Sequence, residues 1–264
     1  MTYDFKSESE VKEFLQNLGI EYRFGCYSEK KPEVCHLLGD YLEAVKKDYE
    51  KARKLYKSNC GDYLEAVKKD YEKARKLYKS NCDDYKFGKS CLKFGTYALL
   101  GKAGVKEDYR TAYEYFKKGC EQDVMDSCFN QGLLMISSPD KCTVKPDLTQ
   151  AMSLLARACE GGNANSCYYA SGFYISGLKK ENKDNNETVE YDLPKDMKLA
   201  FKYASKGCNM GNVYCCVNLS QMYSKGEGIG KNEELAKKYK DLALEMQKEA
   251  QEIGKTLTFQ EGLS

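Results

Sequence analysis

Cysteines recur in this chain in pairs of nearly constant size. The thirteen stand at 26, 35, 60, 82, 91, 120, 128, 142, 159, 167, 208, 215 and 216. Cys26 and Cys35 are nine residues apart, as are Cys82 and Cys91, while Cys120 and Cys128, Cys159 and Cys167, and Cys208 and Cys216 are eight apart. A spacing that returns five times constrains the fold more than any composition figure, because each pair must occupy the same place in a recurring unit. Cys-x-x-Cys never occurs, which removes the zinc-knuckle and thioredoxin-type arrangements.

The residues before the cysteines at 60, 82, 120, 159 and 208 align with one another. Eight positions earlier stands Ala52, Ala74, Ala112, Ala151 or Ala200. Five earlier stands Leu55, Leu77, Tyr115, Leu154 or Tyr203, and twelve earlier Asp48, Asp70, Asp108, Asp147 or Asp196. Asp is a good N-cap, and Ala followed three residues later by a large apolar residue marks one face of a helix, helix B. A sixth copy runs from Asn232 through Ala236 and Tyr239, with Leu244 at the cysteine position. Four residues after Cys35, Cys91, Cys128, Cys167 and Cys216 comes a small residue (Gly39, Gly95, Gly132, Ser171, Ser220). Six after comes a large one (Tyr41, Tyr97, Leu134, Phe173, Met222). The small residue lets two helices approach and the large one fills the neighbouring gap, which defines helix A. The spacing predicts A–turn–B hairpins, with cysteines joining the end of each B to the start of the next A.

Successive helix-A cysteines are 56, 37, 39 and 49 residues apart. The 49 contains the polar stretch 179–191, expected as a flexible loop. The 56 contains residues 39–60, GDYLEAVKKDYEKARKLYKSNC, which recur without change as 61–82. Without one 22-residue copy the interval is 34. Periods of 34 to 39 with two helices each predict an all-α fold, an α-solenoid with an inserted duplicate. The array covers 26–254. An N-terminal helix and lead-in cover 1–25, with a capping box at Ser7 and Glu10, an apolar face of Val11, Phe14, Leu15 and Leu18, and Gly19 as the expected stop. A tail covers 255–264. Within the duplicate, the pattern predicts a short helix over 62–68, a second B helix over 71–80 capped by Asp70, and a break near Gly61. Loop closure favours Cys82 over Cys60 as the partner of Cys91.

Lys and Arg number 42 against 40 Asp and Glu, a net charge of +2, so nothing marks a surface for nucleic acid or anionic membrane. No stretch approaches the ~18 consecutive apolar residues of a membrane span. The opening segment carries Asp4, Glu8, Glu10 and Glu13 and no apolar core, so it is expected to be neither a secretory signal nor a presequence. His36 is the single histidine, which excludes sites built on paired imidazoles.

The small residue of helix A, the turns at 101–105 (Gly-Lys-Ala-Gly-Val) and 226–230 (Gly-Glu-Gly-Ile-Gly), and the Ala-x-x-Tyr/Leu stretch of helix B resemble the Sel-1-like repeat, a relative of the tetratricopeptide repeat. The junction cysteines are similar to those of its cysteine-rich subset. The helix over 11–19, Cys26-x8-Cys35, the five-repeat array and the tail Leu257-Thr258-Phe259 resemble the mitochondrial cytochrome c oxidase assembly factors of Sel-1 type. The likeness covers nearly the whole chain apart from the duplicate and 179–191. It implies a soluble protein of the intermembrane space that supports complex IV assembly, with assembly intermediates and the oxidative import machinery as expected partners, and a monomer is expected. Haem handling has been discussed for this family, but His36 alone offers a thin pocket, and no cofactor is expected.

Each feature has a plainer alternative. The cysteine pairs are either small buried hydrophobes in a reducing cytosol or disulfides. A spacing of eight or nine can bring Cα atoms within the ~4.4–6.8 Å that a bridge needs. Disulfides are expected at Cys26, Cys35, Cys82, Cys91, Cys120, Cys128, Cys159, Cys167, Cys208 and Cys216, with Cys60, Cys142 and Cys215 left as free thiols. Cys215 beside Cys216 is either redox-active or a buried thiol next to a bridged one, and the second is expected. His36 is expected to be an ordinary helix side chain. Tyr41, Tyr97, Tyr115 and Tyr203 are expected in the core, and the lysine pairs at 46–47, 68–69 and 237–238 on solvated faces. The sequons at Asn186 and Asn218 are expected to be unmodified. An interaction scaffold would present helix-A positions to a concave groove: Lys93, Asn130, Tyr169, Asn218 and Gln221. The competing classes are a thiol-redox or haem-handling protein and a β-lactam-binding-type enzyme of the cysteine-rich Sel-1-like class. No Ser-x-x-Lys with its supporting motifs and no His–carboxylate set stands in the sequence, so no enzyme, catalytic residue or metal site is expected.

Overall fold

The computed structural model describes residues 8–55, 61–136, 147–181 and 188–262. The chain runs α1 (Glu8–Tyr27), α2 (Pro32–Leu55), α3 (Gly61–Tyr85), α4 (Gly88–Leu100), α5 (Tyr109–Glu121), α6 (Met125–Ile136), α7 (Leu148–Glu160) and α8 (Ala164–Ser176). After β1 (Leu178–Glu181) and β2 (Thr188–Leu193) come α9 (Met197–Asn209), α10 (Val213–Lys225) and α11 (Glu233–Gly262). It divides into two compact units, Met1–Leu134 with Ser138–Val144, and Met135–Ser137 with Lys145–Ser264. Helices adjacent in sequence pack on one another, α1 to α5 in the first unit and α7 to α11 in the second. This is the α-solenoid class, in which hairpins stack one on the next.

The repeat columns explain the packing. Ala74, Ala112, Ala151 and Ala200 are fully buried, and four residues before the cysteine Tyr78, Phe116 and Leu155 are buried as completely. Opposite them lie the small residues of helix A. A Cβ at Gly39 would overlap the Tyr78 ring, and one at Gly95 would stand 2.8 Å from Phe116 Cδ1. The B helices are capped as the Asp column predicts. Asp108 accepts from Thr111 N, Asp147 from Gln150 N and Asp196 from Leu199 N, each at 2.9 Å. Asn232 caps α11 by accepting from Leu235 N at 3.0 Å. Five disulfides close the junctions, Cys26–Cys35, Cys82–Cys91, Cys120–Cys128, Cys159–Cys167 and Cys208–Cys216, with Cα atoms 4.5 to 4.9 Å apart. Cys60 and Cys142 lie outside the described residues.

Four expectations are corrected. The first hairpin has no turn at Asp48 and no break between 68 and 71: α2 and α3 are single helices, and Asp48 and Asp70 lie inside them. The cause is a missing segment. From Tyr41 to Asp48 is seven residues, whereas from Tyr97 to Asp108 is eleven. The four absent positions align with 101–104, where Gly101, Ala103 and Gly104 all have positive φ. Without them residues 42–47, Leu-Glu-Ala-Val-Lys-Lys, contain nothing that stops a helix. Copy one therefore extends helix A outward, and copy two returns as α3. The expected break near Gly61 agrees with the element bounds, α2 ending at Leu55 and α3 beginning at Gly61.

Gly19 does not end α1, which continues to Tyr27 and carries Cys26 in its last turn. A Cβ at Gly19 would stand 2.7 Å from Tyr41 Oη. Glycine is needed there for close approach, and Tyr41 donates from the same place to the Leu15 carbonyl at 2.9 Å. The stretch 179–191 is not wholly a loop: β1 and β2 pair antiparallel, with Leu178 opposite Leu193 and Glu181 opposite Thr188. This hairpin is the one departure from all-α structure among the described residues. Residues 255–262, expected as a tail, belong to α11.

Candidate functional site

Each junction is built by the two residues that precede its cysteines. Before the helix-A cysteines stand Ser90, Ser127, Ser166 and Cys215, all fully buried. Facing them, before the helix-B cysteines, stand Asn81, Gly119, Ala158 and Gly207. A Cβ at Gly119 would overlap Ser127 Oγ, and one at Gly207 would overlap Cys215 Sγ. Cys215 thus occupies a serine position of the repeat. Among the described cysteines it alone is unbridged, and burial pushes its thiol up to about 12. Such a thiol is a poor nucleophile, which favours the buried-thiol reading over the redox-active one.

At the second junction the small residue is replaced by Asn81, and a polar network follows. Asn81 Nδ2 donates to Ser90 Oγ and to the Pro32 carbonyl, both at 2.8 Å. Ser90 Oγ lies 3.0 Å from His36 Nδ1, and His36 Nε2 lies 3.5 Å from Asp40 Oδ2. A proton on Nε2 facing the carboxylate, with Nδ1 accepting from the serine, satisfies this arrangement. Tyr78 donates to Asp40 Oδ1 at 3.0 Å, and burial, with Asp40 next, raises its pKa. Burial lowers the His36 pKa, Asp40 opposes that shift, and Lys93 and Lys89 add to it. The expectation of no His–carboxylate set is therefore corrected: the partners come from i,i+4 spacing on α2 and from α4, 54 residues away. The order Asp–His–Ser has the form of a proton relay, but Ser90 is sealed at 0% exposure and no substrate carbonyl can reach it. The network ties α2, α3 and α4 together. Nor does His36 fit a haem. Both nitrogens face partners, and the ring packs against Tyr78 and Phe87, with centroids at 5.7 and 5.3 Å.

The five groove positions stand in different local settings. Lys93 Nζ lies 3.2 Å from both Asp40 and Glu43. Asn218 Nδ2 donates to Ser171 Oγ at 3.1 Å. At Lys93 and Asn218, two residues after their cysteines, the side chain reaches the preceding A helix, α2 from α4 and α8 from α10. Asn130 Nδ2 donates within its own helix to the Asp126 carbonyl at 2.7 Å. Tyr169 is exposed, with its ring edge-on to Tyr168. Gln221 lines a concavity of about 430 Å3 between α10 and α11 with Val217, Ala243 and Leu244. A second concavity, of about 420 Å3, lies in the first unit between α3, α4 and α5 and is lined by Arg75, Phe94 and Tyr115.

A charge clasp joins successive B helices. Asp83, just after Cys82, accepts from Lys79 and Lys118 at 2.6 Å and from the Tyr115 hydroxyl at 2.8 Å. Burial works against ionisation, yet the hydrogen bonds from Lys118, Lys79 and Tyr115 hold its carboxyl at about 2. Glu160, just after Cys159, repeats the pattern with Lys206 and with Lys202, the latter at 3.1 Å. The acid after each of these cysteines and the lysine two before the next helix-B cysteine are visible in the sequence as a column.

No helix among the described residues is long and apolar enough to cross a membrane. The Sel1 repeat family model matches residues 32–58, 59–82, 89–124, 130–163, 189–212 and 213–246. A Drosophila melanogaster protein, "Cytochrome c oxidase assembly factor 7 homolog", is 44% identical over 100% of this chain and 98% of its own. The Homo sapiens "Cytochrome c oxidase assembly factor 7" is 34% identical over 97% of both. Among solved structures, a Sel1 repeat protein from Oxalobacter formigenes aligns with a TM-score of 0.62 at 17% identity, over 89% of this chain and 82% of that one. That likeness speaks to the fold alone. Repeat columns, bridged junctions and full-length relatives agree: the chain belongs to the Sel1 repeat family, and within it to the family of proteins named cytochrome c oxidase assembly factor 7.

Proposed function

We propose that this protein is a non-catalytic scaffold of the mitochondrial intermembrane space that supports cytochrome c oxidase assembly. The observation that carries the reading is the end-to-end match to proteins named cytochrome c oxidase assembly factor 7. Five bridged junctions support an oxidising compartment, since disulfides are rare where glutathione keeps thiols reduced. The partners are then assembly intermediates, with the oxidative import machinery installing the bridges. The protein acts as a monomer, and no cofactor enters the account. In cells lacking it, assembled cytochrome c oxidase should fall while the other respiratory complexes persist. A copy directed to the intermembrane space should restore it and a matrix-directed copy should not. Normal oxidase levels, or rescue from the matrix, would overturn the proposal, and catalytic reduction of insulin by the purified protein would remove its non-catalytic part.

A further inference from the structure

The concavity of the first unit has an apolar floor and an unbalanced charge. Phe94 and Ala98 of α4 and Val105 of the following turn form the floor, with Tyr115 of α5 beside them. Three cations and one carboxylate line it, a net positive charge, and two of these groups are already engaged, Asp108 keeping its own negative charge. Lys79 is neutralised by Asp83 at 2.6 Å. Asp108 caps α5, accepting from the Thr111 amide at 2.9 Å and its hydroxyl at 2.7 Å. Arg75 and Lys106 remain, and neither forms an ion pair or hydrogen bond among the described residues. Arg75 Nε is shut off from solvent with no acceptor. A guanidinium so placed is poorly solvated on one edge, and its charge is delocalised over the whole group, so an anion at the open edge would compensate it.

We propose that this concavity binds a carboxylate carried next to an apolar group, presented by an acidic or C-terminal residue of a partner polypeptide. Arg75 and Lys106 supply the charge, and Phe94, Ala98 and Val105 seat the apolar part. The proposal rests on the scaffold function and states what chemistry the partner must offer. A guanidinium fork matches carboxylate and phosphate alike, and the apolar floor selects the organic acid. The volume, about 420 Å3, suits one or two side chains.

The test uses the full-length oxidised protein and three probes: 3-phenylpropionate, its uncharged amide, and inorganic phosphate. Amide resonances of α3, α4 and α5 should shift on titration with the acid and saturate in the millimolar range expected of a fragment. The uncharged amide should bind at least tenfold more weakly. Arg75→Gln should weaken the acid about tenfold, and Lys106→Gln, on the rim, about two- to fivefold. Lys106 is exposed, so that variant reports even if Arg75→Gln unfolds. Equal binding of acid and uncharged amide, phosphate binding as tightly at the same resonances, or indifference to both variants would each overturn the site. If the site fails while wild-type protein still cross-links to oxidase assembly intermediates, the scaffold function survives. If wild type cross-links to none, that function falls first.

Discussion

At Gly207 two effects of opposite sign meet. Alanine inside a helix is worth about 1 kcal/mol more than glycine. A Cβ here, however, would overlap Cys215 Sγ and stand 2.9 Å from Cys167 Cβ. Cys167 is held by its bridge, so relief must come from backbone movement, and overpacking of that kind costs about 1–3 kcal/mol. Gly207→Ala should therefore lose up to about 2 kcal/mol in denaturant unfolding of the oxidised protein. Cys215→Ala in the same chain should restore part of it, and a gain for the single variant would show that the junction is not packed this way. The pairing of Cys216 and not Cys215 with Cys208 follows from the eight-residue register and is legible in the sequence. That Cys215 stands in for Ser90, Ser127 and Ser166 is legible in the same column. The His36 network is not, because it needs Ser90 and Asn81 brought across from helices whose packing a pattern does not specify.

The acid–lysine clasps belong to pairs of B helices. Asp83 titrates near 2 in the folded chain and near 4 unfolded, so its stabilisation is complete above about pH 4 and lost as pH falls towards 2. Partial exposure and screening reduce the contribution to about 1–2 kcal/mol. Asp83→Asn should be less stable than wild type by that amount at pH 6 and nearly equal to it at pH 2, by melting temperature. A gap that persists at pH 2 would assign the loss to packing. At this scale the sequence reads well where signals agree. The Asp N-caps and the Ala column predict α5, α7 and α9 nearly to the residue, and a glycine-bearing turn adds to the signal before α5. It misleads where one signal stands alone. Asp48 and Asp70 lack a stop such as the glycine that ends α4, α8 and α10, and an N-cap cannot start a helix inside one that has no reason to stop. Gly19 failed in the opposite direction: it is a contact glycine, and only Tyr41 on the next helix reveals it.

Across the whole molecule, each bridge acts on its own junction. Opening the Cys159–Cys167 loop, with its sequence separation of eight, costs about 2.5 kcal/mol by the chain-entropy estimate. In an array of nearest-neighbour contacts that loss stays local. Cys159→Ser should raise amide exchange in α7, α8 and α9 and leave α1 and α2 protected, and a uniform rise would contradict a repeat array. The duplicated segment sets the central question, because either copy could dock as the native B helix. In the structure copy two docks: Tyr78 and Ala74 are fully buried, and Cys82 meets Cys91. The most direct measurement is a disulfide map of the native protein, with thiols blocked under denaturing conditions before any reductant is added. It should return Cys26–Cys35, Cys82–Cys91, Cys120–Cys128, Cys159–Cys167 and Cys208–Cys216, with Cys60, Cys142 and Cys215 carrying the blocking group. A dominant Cys60–Cys91 bridge, or junction cysteines that are blocked as free thiols, would contradict the account.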